Sequence, residues 1–150
     1  MIEVRCPTSD DTEALGSRVA SSLRPGDVLV LAGGLGAGKT LFTKGIATGL
    51  GVDEAVVSPS FVLVREYRSG FMPLIHADVY RLGSVNEFED LDVFEMSKDG
   101  VLVIEWGAAV ESALPKGHLR IDFEVEDDET RVLRFVSNGV WEQRDLGGLR

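Results

Sequence analysis

Cysteine, positive charge and long apolar runs are all scarce in this sequence. Cys6 is the single cysteine among 150 residues, so neither an internal disulfide nor a multi-cysteine metal site is possible. No stretch approaches the roughly 18 consecutive apolar residues that a membrane-spanning helix needs. The first residues also lack the basic and apolar segments of a secretory signal. We therefore expect a cytoplasmic protein with no membrane segment.

Basic residues are outnumbered by acidic ones. The chain has 15 lysines and arginines against 25 aspartates and glutamates, which gives a net charge of −10. Nucleic-acid backbones are bound by clustered lysine and arginine, so we do not expect the chain to bind RNA directly. The acidic stretches at residues 87–99 and 122–129 favour solvated faces of a helix and a hairpin. The alternative is an acidic docking surface for a basic partner.

Short apolar segments alternate with helical patterns along the chain. The patterns predict strands at residues 2–5, 28–32, 62–67, 72–78, 101–104, 118–125 and 130–137, and helices at residues 12–23, 41–50, 86–96 and 108–114. The last two strands are expected to form an antiparallel pair. We therefore predict a single-domain α/β fold over residues 1–140, with a mixed, mostly parallel sheet flanked by helices on both faces. Residues 141–150 are expected to form a frayed C-terminal tail.

The segment from Gly33 to Thr40 is the most informative motif in the chain. It fits G-x-x-x-x-G-K-[ST], the phosphate-binding P-loop or Walker A motif, and lies between predicted strand 28–32 and predicted helix 41–50. Glycines let backbone N–H groups curl around a phosphate, and the helix N-terminus adds partial positive charge. In such a loop Lys39 reaches the β- and γ-phosphates, and the Thr40 hydroxyl ligates Mg²⁺. The sequence therefore predicts a P-loop site for a nucleoside triphosphate.

Two carboxylates stand where predicted strands end. Glu105 follows the apolar residues 101–104, and Asp78 closes the predicted strand 72–78. Ligands bind at such sheet edges, beyond the carboxyl ends of parallel strands. A nucleotide hydrolase needs a carboxylate for Mg²⁺ or its water shell, and a group that orients the attacking water. Glu105 is the stronger candidate for the first role, but the residues alone leave open which carboxylate contacts the metal.

Other side chains near these motifs are weaker candidates for the rim of the site. Ser58 and Ser60 flank Pro59, and two hydroxyls on a stiff loop are suited to sensing a γ-phosphate, the alternative being an ordinary loop. Trp106 follows Glu105 and either flanks the nucleotide or fills the core.

The residues around Asp78 add three further candidates. Tyr80 and Arg81 follow Asp78 at the same rim. Arg81 pairs either with a phosphate or with a local carboxylate. His76 lies two residues before Asp78 on the same strand face, so it either orients that carboxylate or is simply packed in the core.

Together these motifs resemble those of the TsaE (YjeE) family, small bacterial ATPases of tRNA threonylcarbamoyladenosine synthesis. The resemblance covers residues 8–135 in order. It rests on L-G-A-G-K-T at 35–40, S-P-S-F at 58–61, H-A-D-V-Y-R-L at 76–82, E-W at 105–106 and T-x-x-L-G at 12–16. It implies a P-loop α/β domain whose mixed sheet has about seven strands.

The resemblance also implies an activity and partners. It implies Mg²⁺-dependent ATP hydrolysis coupled to the TsaD–TsaB pair, which forms the N6-threonylcarbamoyl group on adenosine in tRNAs that read A-starting codons. The family member does not perform the transfer itself, and it contacts tRNA only indirectly. ATP and Mg²⁺ are the implied ligands.

Site residues follow from the same resemblance. It implies that Thr40 and Glu105 bind Mg²⁺, that Asp78 is needed for hydrolysis, and that Thr12 or its neighbours lie near the base. The implied phosphate-binding residues are Gly36, Ala37, Gly38, Lys39, Thr40 and Leu41. Lys39, Asp78 and Glu105 are thus the expected catalytic residues.

Three other functions are compatible with a P-loop. A small-molecule kinase is disfavoured because no arginine-rich lid follows the P-loop helix. A GTPase is disfavoured because no [NT]-K-x-D guanine motif is present. A nucleotide-gated interaction module differs from an ATPase only in whether turnover matters.

Overall fold

The computed structural model describes residues 1–34, 36–57, 64–79, 85–106, 110 and 112–149. The predictions for Ser58, Ser60, Tyr80 and Arg81 lie outside these residues. The strands are β1 Ile2–Cys6, β2 Val28–Ala32, β3 Val64–Tyr67, β4 Leu74–Asp78, β5 Val101–Glu105, β6 His118–Val125 and β7 Arg131–Ser137. The helices are α1 Ser9–Ala20, α2 Lys39–Gly49, α3 Val85–Asp90 and α4 Val93–Met96.

The strands form one mixed sheet of seven strands in the order β1-β7-β6-β2-β5-β4-β3. The four central strands β6, β2, β5 and β4 are parallel, while β7 and β3 pair antiparallel with their neighbours. This confirms the predicted mixed, mostly parallel sheet. The sequence predicted one antiparallel edge, but β3 and β4 form a second. Parallel neighbours need a long crossover, and the connection at residues 68–73 is too short for one.

Helices cover both faces of the sheet, as predicted. Residues alternate along β2, so Leu29 and Leu31 pack with α1 and α2, whereas Val28 and Val30 pack on the side of α3 and α4. The central strands are buried on both faces and therefore read as continuous apolar runs in the sequence. This packing fixes the carboxyl ends of β2, β4 and β5 at one edge of the sheet.

Two glycines let α1 and α2 approach each other closely. A Cβ on Gly16 would collide with the carbonyl oxygen of Phe42, and one on Gly45 would collide with the carbonyl oxygen of Glu13. Because α2 follows the P-loop directly, this contact helps to hold the loop against the sheet.

Some predicted helix bounds differ from the structure. Helix α1 ends at Ala20, three residues before the predicted end, and Thr8 caps its start through a capping box with Asp11. The predicted helix at residues 86–96 is broken into α3 and α4. Asp92 adopts a left-handed conformation there, with φ of 57°, which cannot continue a right-handed helix. The predicted helix at 108–114 lies partly outside the described residues.

The segment expected to be a frayed tail is packed in the structure. Trp141 is fully buried, and Leu146 and Leu149 join the core beneath α1. Trp141 lies in a short 3-10 helix, Gly139–Gln143, and Leu149 in another, Gly147–Leu149, with Leu146 between the two. Arg144 makes two hydrogen bonds of 2.6 Å to the carboxylate of Asp27. The prediction rested on the position at the chain end and on two glycines, 147 and 148, but three apolar side chains hold the segment in the core.

No helix in the described part of the chain is long and apolar enough to span a bilayer.

Candidate nucleotide-binding site

The P-loop joins β2 to α2 in a conformation that requires glycine. Gly36 has a φ of 75° and Gly38 a φ of 100°, both in the left-handed region. Gly38 is the N-cap of α2 and contributes no side-chain hydrogen bond to the helix. The first N–H groups of α2 therefore stay available to an anion, because a helix N-terminus leaves them without helical partners.

A cavity of about 360 Å³ lies at this edge of the sheet. Nine predicted residues line it, namely Gly36, Ala37, Gly38, Lys39, Thr40, Leu41, Asp78, Glu105 and Trp106. The structure thus brings the P-loop and both strand-end carboxylates around one space. Thr12 is different: its side chain is fully buried behind the loop, with Cγ2 lying 3.6 Å from where a Cβ on Gly38 would stand.

Asp78 and Glu105 face the cavity from neighbouring strands. They are directly paired in the parallel register of β4 and β5, and Leu31 of β2 is paired with Glu105 on the other side. Paired residues of a sheet point to the same face, so both carboxylates lie on the face that α2 covers. Asp78 is 7% exposed and Glu105 4%. Two nearly buried carboxylates side by side favour a cation between or beside them.

His76 contacts Glu105. Its Nε2 lies 2.6 Å from Oε2 of Glu105, and the imidazole is fully buried. Because a carboxylate only accepts hydrogen bonds, Nε2 carries the hydrogen and donates. Within the described residues, Nδ1 has no hydrogen-bond partner. The sequence suggested that His76 either orients Asp78 or packs in the core, whereas the structure pairs it with the carboxylate of the adjacent strand.

Lys39 is held between the loop and an aromatic ring. Its Nζ donates to the carbonyl oxygen of Gly33 at 2.7 Å and lies 3.2 Å from the centre of the Trp106 ring. Burial lowers the pKa of Lys39, while Glu105 and Asp78 act in the opposite direction. Trp106 itself has a φ of 67°, which is unusual for a bulky residue and places its ring over the lysine.

Arg131 lines the same cavity and was missed by the sequence analysis. Its Nε donates to the carbonyl oxygen of Ala37 at 3.2 Å, and its Nη2 donates to that of Gly36 at 3.1 Å. Strand β6 continues past the last residue of β2 that pairs with it, Ala32. The turn between β6 and β7 therefore overhangs the P-loop and places Arg131 there. No local motif marks this residue, and only the sheet order could have identified it.

The side chains present suit Mg²⁺ held jointly with phosphate. In the described part of the chain, no group of three or more histidine, cysteine, aspartate or glutamate side chains is placed to hold a metal alone. Thr40, Asp78 and Glu105 line the cavity beside the phosphate-binding loop. Mg²⁺ usually binds one or two carboxylates together with substrate phosphates and waters, and this donor set matches that pattern.

Comparisons with known proteins show the family of the chain. The family model described as "Threonylcarbamoyl adenosine biosynthesis protein TsaE" matches residues 6–133. The chain is 41% identical over 135 residues to the tRNA threonylcarbamoyladenosine biosynthesis protein TsaE of Bacillus subtilis, covering 90% of this chain and 85% of that protein. It is 44% identical over 133 residues to the Treponema pallidum protein of the same name, covering 87% and 98%.

A solved structure shows the same architecture. The crystal structure of Bacillus subtilis YdiB superposes with a TM-score of 0.77 at 36% identity, covering 94% of this chain and 88% of that one. Both the family model and the relatives span most of the chain, including the P-loop and the two strand-end carboxylates. This chain therefore belongs to the TsaE family of tRNA threonylcarbamoyladenosine biosynthesis proteins.

Proposed function

We propose that this protein is an Mg²⁺-dependent ATPase that supports the TsaD–TsaB pair in forming the N6-threonylcarbamoyl group on adenosine, in tRNAs that read A-starting codons. Family membership supports the pathway. One observation supports the ATPase: the P-loop, its lysine and two nearly buried, in-register carboxylates surround a single cavity.

The P-loop residues supply the phosphate-binding groups. Backbone N–H groups of Gly36 and of residues 38–41, at the N-terminus of α2, provide donors for phosphate oxygens. The N–H of Ala37 instead donates to the carbonyl oxygen of Gly34. Lys39 supplies a positive charge at the same place, and it would exchange its bond to the Gly33 carbonyl for a phosphate oxygen. That exchange is favourable because phosphate oxygens carry charge and a carbonyl does not.

The polar side chains at the strand ends supply the remaining groups. Thr40 and Glu105 are suited to hold Mg²⁺, which when bound neutralises charge on the phosphates. Asp78, paired with Glu105 across β4 and β5, is suited to accept a hydrogen bond from the attacking water and orient it. His76 fixes the orientation of the Glu105 carboxylate through their hydrogen bond.

The transfer of threonylcarbamoyl is assigned to the partner pair. The net charge of −10 disfavours direct binding of tRNA by this chain, so RNA contact goes through TsaD–TsaB. The cytoplasm is the proposed location, because tRNA modification takes place there.

The ATPase proposal is tested by replacing Lys39 and a matched lysine of the same helix. Lys39→Ala is expected to abolish ATP hydrolysis, because it removes the positive charge at the phosphates. Lys44→Ala is the control, since Lys44 is exposed on α2 away from the cavity lining. Unchanged turnover in Lys39→Ala, or equal loss in both variants, would overturn the assignment.

A further inference from the structure

We propose that Arg131 is a positioning residue for the P-loop, and that its guanidinium holds two loop carbonyls outward, which fixes a loop conformation in which the N–H of Gly38 faces the nucleotide. This inference rests on the proposed ATP site and adds a residue to it that no sequence motif marks.

The guanidinium bridges the P-loop and the turn between β6 and β7. Nε and Nη2 donate to the carbonyl oxygens of Ala37 and Gly36, at 3.2 and 3.1 Å. Nη1 donates to the carbonyl oxygens of Asp127, Asp128 and Thr130, at 2.9, 3.3 and 3.2 Å. One side chain thus ties the loop to a neighbouring element through contacts on both sides.

The backbone of the loop explains why hydrogen bonds from outside the loop are needed. Each loop carbonyl shares a planar peptide with the N–H of the next residue, which points the opposite way. The Ala37 carbonyl is thus paired with the N–H of Gly38, which faces away from Arg131. The Gly36 carbonyl is paired with the N–H of Ala37, which donates to the Gly34 carbonyl at 3.2 Å and closes a turn of the loop. The first carbonyl that accepts a bond in the α2 ladder is that of Gly38, from the N–H of Phe42, so the carbonyls of Gly36 and Ala37 precede the helix. Glycines at 36 and 38 allow many backbone conformations, and external hydrogen bonds select one of them.

The turn is a firm anchor for the arginine. The Oδ1 of Asp127 accepts hydrogen bonds from the N–H groups of Glu129 and Thr130, at 3.1 and 2.8 Å. These bonds, led by that from Thr130, lower the pKa of Asp127. Thr130 in turn donates its hydroxyl to the carbonyl oxygen of Pro7 at 3.1 Å, ahead of α1.

Arg131 differs from the other arginine on its strand. Arg134 forms ion pairs with Glu3 and Glu124. Among the described residues, every hydrogen bond from the Arg131 guanidinium goes to a backbone carbonyl. Its charge therefore also adds positive potential beside the cavity. A planar fork with five donors can reach several carbonyls at once, which a lysine ammonium cannot do in the same geometry.

The test compares Arg131→Lys and Arg131→Met with Arg134→Met in the full chain. The chain has a mass of 16.3 kDa, which suits backbone ¹⁵N relaxation measurements. In nucleotide-free protein, both Arg131 variants are expected to lower the order parameters of residues 36–38 from about 0.85 to below about 0.6. ATP affinity measured by calorimetry is expected to fall about ten-fold in both. Arg134→Met is expected to change neither.

The outcomes separate positioning from other roles. Wild-type order parameters in both Arg131 variants, or full ATP affinity in Arg131→Lys, would overturn the inference, the latter because charge alone would then suffice. Equal losses in Arg131→Met and Arg134→Met would also overturn it, as a general effect of charge or stability. If wild-type protein binds no ATP, the proposed function fails, while the order parameters still decide whether Arg131 positions the loop.

Discussion

At the scale of single residues, local contacts and backbone conformation fix the side chains of the site. Lys39 bonds to Gly33, Glu105 bonds to His76, and Trp106 keeps a left-handed backbone. That backbone conformation costs roughly 1–2 kcal/mol for a residue other than glycine. Such strain collects at functional sites, where surrounding contacts enforce it. The positive φ of Trp106 therefore adds to the evidence that this edge of the sheet is the functional site.

Removal of the Glu105 charge is expected to separate metal binding from nucleotide binding. Glu105→Gln keeps the size of the side chain but loses the anion that Mg²⁺ prefers. We predict that ATP affinity in the presence of Mg²⁺ falls by at least about ten-fold, while affinity without metal changes much less. Titration calorimetry with and without Mg²⁺ measures both. Equal changes under the two conditions would remove Glu105 from the metal site.

Loss of the His76 hydrogen bond is expected to act through Glu105. His76→Leu removes the donor, whereas His76→Gln retains an N–H group that can reach the carboxylate. We predict that the Mg²⁺ concentration needed for half-maximal ATP binding rises about 10–100-fold in the leucine variant, and by less in the glutamine variant. If the two variants behave alike, His76 serves only the packing of the core.

The sequence predicted those parts of the site that a contiguous motif or the end of a predicted strand marks. The P-loop and the two strand-end carboxylates were predicted from motif and position, and the structure places them around one cavity. Their roles stay predictions. The partner of His76 and the approach of Arg131 were not predictable, because both depend on which strands are neighbours. Spacing along one strand, which linked His76 to Asp78, carries no information about the adjacent strand.

At the scale of elements, the contact between α1 and α2 sets the position of the P-loop helix. The sequence predicted both helices from apolar spacing, but it could not show that glycines at 16 and 45 form the contact. The sequence analysis also missed a helix break that depends on the backbone conformation of a single residue. Asp92 is the example, since its left-handed backbone divides one predicted helix into two.

Gly45→Ala tests this helix contact. The added methyl would collide with the carbonyl oxygen of Glu13, so the helices must separate. We predict a loss of about 1–3 kcal/mol in the free energy of unfolding, as for other overpacked sites, although alanine favours helix more than glycine. Urea denaturation measures the loss. Gly148→Ala is the control, because in the described part of the chain, its two chain neighbours aside, no atom lies within 4 Å of its added methyl. A stabilised Gly45→Ala would contradict the account.

At the scale of the whole molecule, the C-terminal segment packs into the core. The sequence analysis had predicted a frayed tail there. Trp141 fills the core, and Arg144 stacks on its ring with 4.0 Å between the guanidinium carbon and the ring centre. The same arginine reaches Asp27 at the start of β2. The sequence could not predict this closure, since it joins residues more than a hundred positions apart in the chain.

Arg144→Met is predicted to destabilise the fold strongly. It removes the charged partner of the nearly buried Asp27 carboxylate, which keeps a hydrogen bond from the backbone N–H of Arg24. Removal of one member of a buried pair typically costs about 3–5 kcal/mol. Arg5→Met is the matched control, because Arg5 pairs with Glu126 on the surface and exposed pairs contribute about 0–1 kcal/mol. Chemical denaturation measures the free energy of unfolding of both variants. Similar losses would show that the buried pair with Asp27 contributes no more to stability than the exposed pair.

The proposed coupling to TsaD–TsaB is the central claim, and ATP turnover tests it most directly. Hydrolysis would be measured for the purified chain alone and with the TsaD–TsaB pair from the same source. The account predicts slow turnover alone and faster turnover with the pair, in both cases lost in Lys39→Ala. Turnover that does not respond to the pair would contradict a partner-coupled ATPase.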